Sequence, residues 1–265
     1  MAYLAPILNR GLFRLRRTIK QSNVLAISDT AHAIESGMKS IIYHRSQLEL
    51  YIYRRPVYAL SLDPLPIEES APEVVKLASL AAEAAQVGPM AAAPGALAEL
   101  AVKDMVSEGA SVSLIENGGE IAAASTQPLI VGIYAGSSPV SGRIGFHLDL
   151  EDFPIGIATS SATVSHALNF GEADAAVVIA DTASLADATA KAVCNSVVGE
   201  DIEASVRSGL ERAERIRGVR GALVVRRNYV GTVGKLPRLV KLNGTREELF
   251  MASLRELSPE EIALL

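Results

Sequence analysis

The run from residue 156 to residue 199 constrains this chain most, because it joins a hydroxyl-rich segment, an unbroken apolar strand and a helix that opens on a carboxylate. The segment Gly156-Ile-Ala-Thr-Ser-Ser-Ala-Thr-Val-Ser-His-Ala-Leu-Asn-Phe-Gly leads into Ala175–Ala180, which has the length and composition of a buried strand. Ser184, with Asp187 three residues on, reads as an N-cap with an acidic partner, opening a helix that runs to Val198 and stops at Gly199. The stripe Ala186, Ala190, Val193, Val197 along that helix is built largely of small side chains, which let a neighbouring backbone or a flat ligand come close. A functional site is expected here.

The remaining composition narrows what such a site serves. A chain of 265 residues, 49% of them hydrophobic, can bury a large core, and a single domain is expected over its whole length. The net charge of −5 argues against nucleic acid as the main partner, since phosphate neutralisation needs a concentrated basic face. Arg10, Arg14, Arg16, Arg17 and Lys20 do cluster, but in Leu12-Phe13-Arg14-Leu15-Arg16 the arginines alternate with apolar residues, the pattern of an edge strand with one solvated face. Cys194 is the only cysteine, which leaves no intramolecular disulfide, and it is expected to be a small core residue. Neither a signal peptide nor a membrane span is expected, and the expected location is cytoplasmic.

Taken in order, residues 12–28 predict a hairpin turning at Gln21-Ser22-Asn23, and Thr30 to Arg54 a helix ended by Pro56. Pro56–Pro66 predicts extended chain with turns. Helices are predicted over 71–86 and 96–108, separated by the tight segment Val87-Gly-Pro-Met-Ala-Ala-Ala-Pro-Gly. Ser111 to Glu116 predicts a strand ending in Asn117-Gly118-Gly119-Glu120. Asn-Gly is a strong hairpin signal, while paired glycines also offer bare backbone N–H groups to a phosphate or ring; both readings stand. Further strands are predicted at 129–134, 145–150 and 221–226, a helix at 202–216, and two short helices at 246–254 and 259–264. Strands and helices without regular βα units predict an α+β fold of mixed or antiparallel sheets with packed helices.

Six segments in order carry a resemblance. Val87-Gly-Pro-Met-Ala-Ala, Glu116-Asn-Gly-Gly-Glu-Ile, Gly132-Ile-Tyr-Ala-Gly, Gly156-Ile-Ala-Thr-Ser-Ser, Ser165-His-Ala-Leu-Asn-Phe-Gly-Glu-Ala-Asp-Ala and Ala186-Asp-Ala resemble a branch of the ApbE-like superfamily, relatives of the FAD:protein FMN transferases. The match covers about residues 12–200, leaving 201–265 as a C-terminal extension. The resemblance implies an α+β fold, FAD with a magnesium ion on its pyrophosphate, and transfer of FMN to a threonine of an acceptor flavoprotein with release of AMP. It also implies a cofactor surface of Gly88, Met90, Asn117, Gly118, Gly119, Glu120, Thr159, Ser160 and Ser161. His166 falls near the family's histidine and Asp187 on its acidic metal ligand; these two are the implied catalytic pair, with Asp187 and Thr189 as metal ligands. Each has a plainer alternative, Asp187 as a capping carboxylate, His166 as a histidine satisfied by its own loop, and the hydroxyls as groups satisfying element ends. The chain departs from the family at Lys191, where the family has a threonine ligand, at Asn169 and Phe170, where it has aspartate and proline, and at Pro94, where it has lysine. An enzyme acting on a flavin or other phosphate-bearing ligand is therefore expected, with a non-catalytic flavin or anionic-metabolite binder that has lost the metal site as the alternative; a homo-oligomer is left open.

Overall fold

The computed structural model describes residues 2–7, 12–135, 141, 143–162 and 169–242. The chain opens with β1 (Ala2–Ile7), β2 (Phe13–Ile19) and β3 (Ser22–Ser28), then α1 (Ala31–Arg54), the short α2 (Val57–Leu60), α3 (Glu73–Ala85) and α4 (Ala93–Ser107). Four strands follow, β4 (Val112–Asn117), β5 (Glu120–Ser125), β6 (Leu129–Ala135) and β7 (Ile144–Leu148), then β8 (Ile155–Ser160) and β9 (Ala175–Ala180). The last part comprises α5 (Ala183–Ser196), α6 (Ile202–Glu214), β10 (Val219–Arg226), β11 (Tyr229–Gly234) and β12 (Arg238–Lys241).

The strands form two sheets, both wholly antiparallel. The larger runs β11-β10-β9-β8-β5-β4-β3-β2 and the smaller β1-β6-β7-β12. This is an α+β fold in three layers, fixed by period-two alternation along the central strands. On β3, β4, β5, β8 and β9 the side chains Leu25, Ile27, Leu114, Ile121, Ile157 and Val177 meet Val131, Ile133, Phe146 and Leu148 of the smaller sheet in one apolar cluster. Their neighbours one residue along, such as Ala122, Ala158, Ala176 and Ala180, face the helices instead.

Several expectations stand in outline. The opening hairpin is present but turns at Lys20-Gln21, since β3 already begins at Ser22; β2 is an edge strand, with Arg14 and Arg16 half-buried where a solvated face was expected; and Cys194 is buried. Others are refined. Pro56–Pro66 contains α2, the strand β1 pairs with β6 without having been foreseen, and the two short helices predicted after residue 243 lie outside the described residues. No helix of the described residues is long and apolar enough to cross a membrane.

Candidate functional site

The first N–H groups of a helix find no acceptor within it. Ala92, which precedes α4, has no side chain to supply one, and the Gly95 N–H instead donates to Asp187 Oδ2 of α5 at 2.9 Å. The favour is returned at the start of α5, where the Ser184 N–H and Oγ donate to Glu99 Oε2 of α4 at 3.2 and 2.7 Å. Each helix thus supplies the carboxylate that caps the other. The N-cap of α5 is Thr182, whose Oγ1 accepts from the Leu185 N–H at 3.3 Å; this corrects the capping pair expected from Ser184 and Asp187. Glycine makes the approach possible. A Cβ on Gly95 would lie 2.3 Å from the Ala183 carbonyl oxygen, and one on Gly156 of β8 would lie 2.2 Å from the Thr182 backbone, so both helix starts are pressed against each other and onto the sheet.

Other groups gather at this junction. Asn117 Nδ2 donates to the Pro94 carbonyl at 3.0 Å, tying the β4–β5 turn to the start of α4. Glu120 follows that turn and shares the helix-facing side of β5 with Ala122. One turn beyond Asp187, Lys191 Nζ donates to Asn169 Oδ1 at 2.7 Å, and Ser160 Oγ donates to the same oxygen at 3.2 Å. Asn169 Nδ2 in turn donates to the Ser161 carbonyl at 2.6 Å. Of the residues expected at a site, the fold therefore brings together Asn117, Glu120, Ser160, the Ser161 backbone and Asp187, and adds Gly95, Asn169 and Lys191.

Burial pushes the Asp187 carboxyl up to about 7, against the Gly95 N–H and Lys191, which favour its charged form. Burial, followed by the charges of Asp187 and Glu116, holds Glu120 well above the usual carboxylate range. Lys191 is lowered by burial, resisted by Cys194, Asp187 and Glu120. Three ionisable groups with displaced protonation gathered at one junction make it the candidate functional site.

The other described residues expected at the site make different contacts. Gly118 and Gly119 form the two-residue turn of the hairpin, with φ of +79° and +122°. Their N–H groups are already engaged, that of Gly118 by the Asn23 carbonyl at 3.2 Å and both by the Glu116 carboxylate. Thr159 alternates with Ser160 and so sits with Ile157 on the sheet-to-sheet face, its hydroxyl buried without a partner. Gly88 lies against the Ser61 carbonyl, which a Cβ there would meet at 2.0 Å, and Met90 packs half-buried on the helical core. Thr189 is wholly buried about 200° around α5 from Asp187. His166 lies outside the described residues.

The described residues do not fit a magnesium ion in the arrangement the resemblance implies. Magnesium asks for a near-octahedral set of oxygens. Here Asp187 and Thr189 point to different sides of α5, an ammonium occupies the position one turn on, and no group of three or more His, Cys, Asp or Glu side chains among the described residues is placed to hold a metal. Sequence reasoning did not see the roles of Glu99 and Gly95, because a cap supplied across 85 to 92 residues of sequence leaves no local spacing signal. Pro94-Gly95 at a helix start was the one available cue.

Comparison with known proteins follows from this geometry. The apo flavinyl transferase ApbE of Pseudomonas stutzeri superposes with a TM-score of 0.54 at 16% identity, covering 91% of this chain and 96% of that one. A mutant of the flavin transferase ApbE of Vibrio cholerae gives a TM-score of 0.54 at 12% identity, covering 84% and 96%. At these identities the likeness establishes the fold alone. A UPF0280 protein of Methanocaldococcus jannaschii is 40% identical over 242 residues, 90% of this chain and 98% of its own length, and one of Methanopyrus kandleri is 39% identical over 238 residues, 89% and 96%. The model of the family described as "AbpE bacteria" matches residues 6–223, and the chain therefore belongs to that ApbE-like family, with UPF0280 proteins among its relatives.

Proposed function

We propose that this protein binds a flavin nucleotide or another phosphate-bearing ligand where the β4–β5 turn, the end of β8 and the starts of α4 and α5 meet, and acts on it as a transferase or a derived relative of one. The observation that carries the reading is the bond from Gly95 N–H of α4 to Asp187 of α5, with Glu120 and Lys191 beside it. The dipoles of two helix N-termini, each capped by a carboxylate of the other helix, meet there. The second N–H of the Asn117 amide supplies a further donor, and His166 and the hydroxyls of Ser160 and Ser161 remain part of the proposal through the family resemblance, whereas Thr159 faces the smaller sheet. A carboxyl displaced to about 7, as at Asp187, accepts a proton at neutral pH, which attack by an acceptor hydroxyl requires. If the reaction is FMN transfer, FAD is the donor and a threonine-bearing flavoprotein the acceptor.

A second reading, a binder without turnover, is favoured by the lysine where a metal ligand would be. The two separate by incubating the protein with FAD, magnesium and a threonine-bearing acceptor peptide and following AMP. Transfer predicts AMP release that Asp187→Ala abolishes. Retained flavin without AMP, in wild type and Asp187→Ala alike, selects the binder. Neither flavin nor any other phosphate-bearing molecule retained through purification, and no AMP, would contradict both.

A further inference from the structure

We infer that the ammonium of Lys191 is a built-in counter-cation for the Asp187 and Glu120 carboxylates, occupying the role of a divalent metal so that a phosphate-bearing ligand is held without one. The inference rests on the binding reading above, and it follows from the placement of three side chains.

Asp187 and Lys191 stand at i and i+4 on α5 and so share one face of the helix. A pair of that spacing on an exposed surface leaves the lysine head in water. Here the residue is half-buried, and Nζ is fixed to Asn169 Oδ1 at 2.7 Å, an oxygen that also takes the Ser160 hydroxyl at 3.2 Å. The ammonium is therefore held towards the end of β8, one turn along α5 from Asp187, and its charge acts on both Asp187 and Glu120. Both carboxylates feel it, since its charge favours the ionised form of each.

A divalent ion bound to these same carboxylates would lie close to that fixed positive charge in a poorly solvated layer, where like charges repel strongly. The oxygen that the resemblance offers as a second metal ligand, on Thr189, is buried on another side of α5. The chain thus lacks one metal ligand and carries a cation of its own. A lysine ammonium is a compact point charge with three donors, suited to phosphate oxygens.

Two readouts test this, one of them independent of any ligand. Paramagnetic Mn2+ added to the purified protein should stay free by electron paramagnetic resonance in wild type. Lys191→Thr, which removes the charge and offers an oxygen one turn from Asp187, should gain a bound Mn2+. FAD binding by wild type should be the same in EDTA as in magnesium, whereas Lys191→Met should weaken it in EDTA by about tenfold or more, the loss of one charge-assisted contact. Lys191→Thr should make FAD binding depend on magnesium. Stoichiometric Mn2+ binding by wild type, FAD binding that EDTA abolishes, or unchanged FAD affinity in Lys191→Met would each overturn the inference. If no form binds FAD, the proposed function fails, and the Mn2+ result alone still decides the role of Lys191; if a variant does not fold by circular dichroism, the wild-type measurements suffice.

Discussion

The two faces of the eight-stranded sheet are built from the same strands yet differ in kind. Towards the smaller sheet the interior is made of large branched and aromatic side chains, Ile27, Leu114, Ile121, Ile133, Phe146, Leu148 and Ile157, all buried to within two per cent. Among the described residues its margin carries an ion pair, where Arg16 Nη2 meets Glu116 Oε2 at 3.3 Å beside the edge strand. Beneath α5 the interior is alanine and valine with Cys194, and three ionisable groups from α5 and β5 stand at its end. Large side chains hold layers apart and fill the gap. Small ones let backbones touch, which is how a carboxylate of one helix reaches the first N–H groups of another. One face holds the fold together and the other shapes the place where chemistry is proposed.

That contrast breaks most visibly by emptying the aliphatic face. Phe146→Ala should cost about 3–5 kcal/mol of stability, as large-to-small changes in a rigid core do, measured by urea unfolding; a cost under about 1 kcal/mol would mean that this face is loosely packed. Next in size, Gly95→Ala adds a Cβ into contact with the Ala183 carbonyl and should cost about 1–3 kcal/mol. It should also weaken the proposed ligand's binding by separating α4 from α5, an effect Phe146→Ala should lack while the protein remains folded. Thr182→Ala should cost about 0.5–2 kcal/mol, the worth of an N-cap, and should exceed the cost of the same change at exposed Ser46.

Much of the architecture was legible in the residues. The apolar run Val24-Leu25-Ala26-Ile27 and the Asn-Gly-Gly turn specify hairpins because both signals are local and bounded by turns. The strand at Ala175–Ala180 and the helix after it fell within a residue or two of expectation. What was not legible is long-range. Asp187 looked like a partner of its own helix's cap, yet its acceptor oxygen serves Gly95, 92 positions earlier. Lys191 looked like a surface partner for Asp187, whereas its ammonium is committed to Asn169, 22 positions earlier on the far side of β9 in sequence. Thr159 and Ser160 read alike as hydroxyls, but strand alternation sends them to opposite faces. Sequence names the groups; only the packing of small residues decides which of them meet.

The central claim is that Asp187, Glu120 and Lys191 share one poorly solvated space. A carboxyl whose folded-state pKa lies above its ordinary value holds its proton more tightly folded than unfolded, so its contribution to stability is complete at low pH and drains away as pH rises from about 4 to about 7. Carbon-13 NMR titration of the Asp187 side chain measures this directly. The account predicts a midpoint near 7 in wild type, raised from the ordinary 3.8, and a further rise in Lys191→Met as the favourable ammonium is removed. A midpoint close to 3.8, unmoved by Lys191→Met, would contradict it.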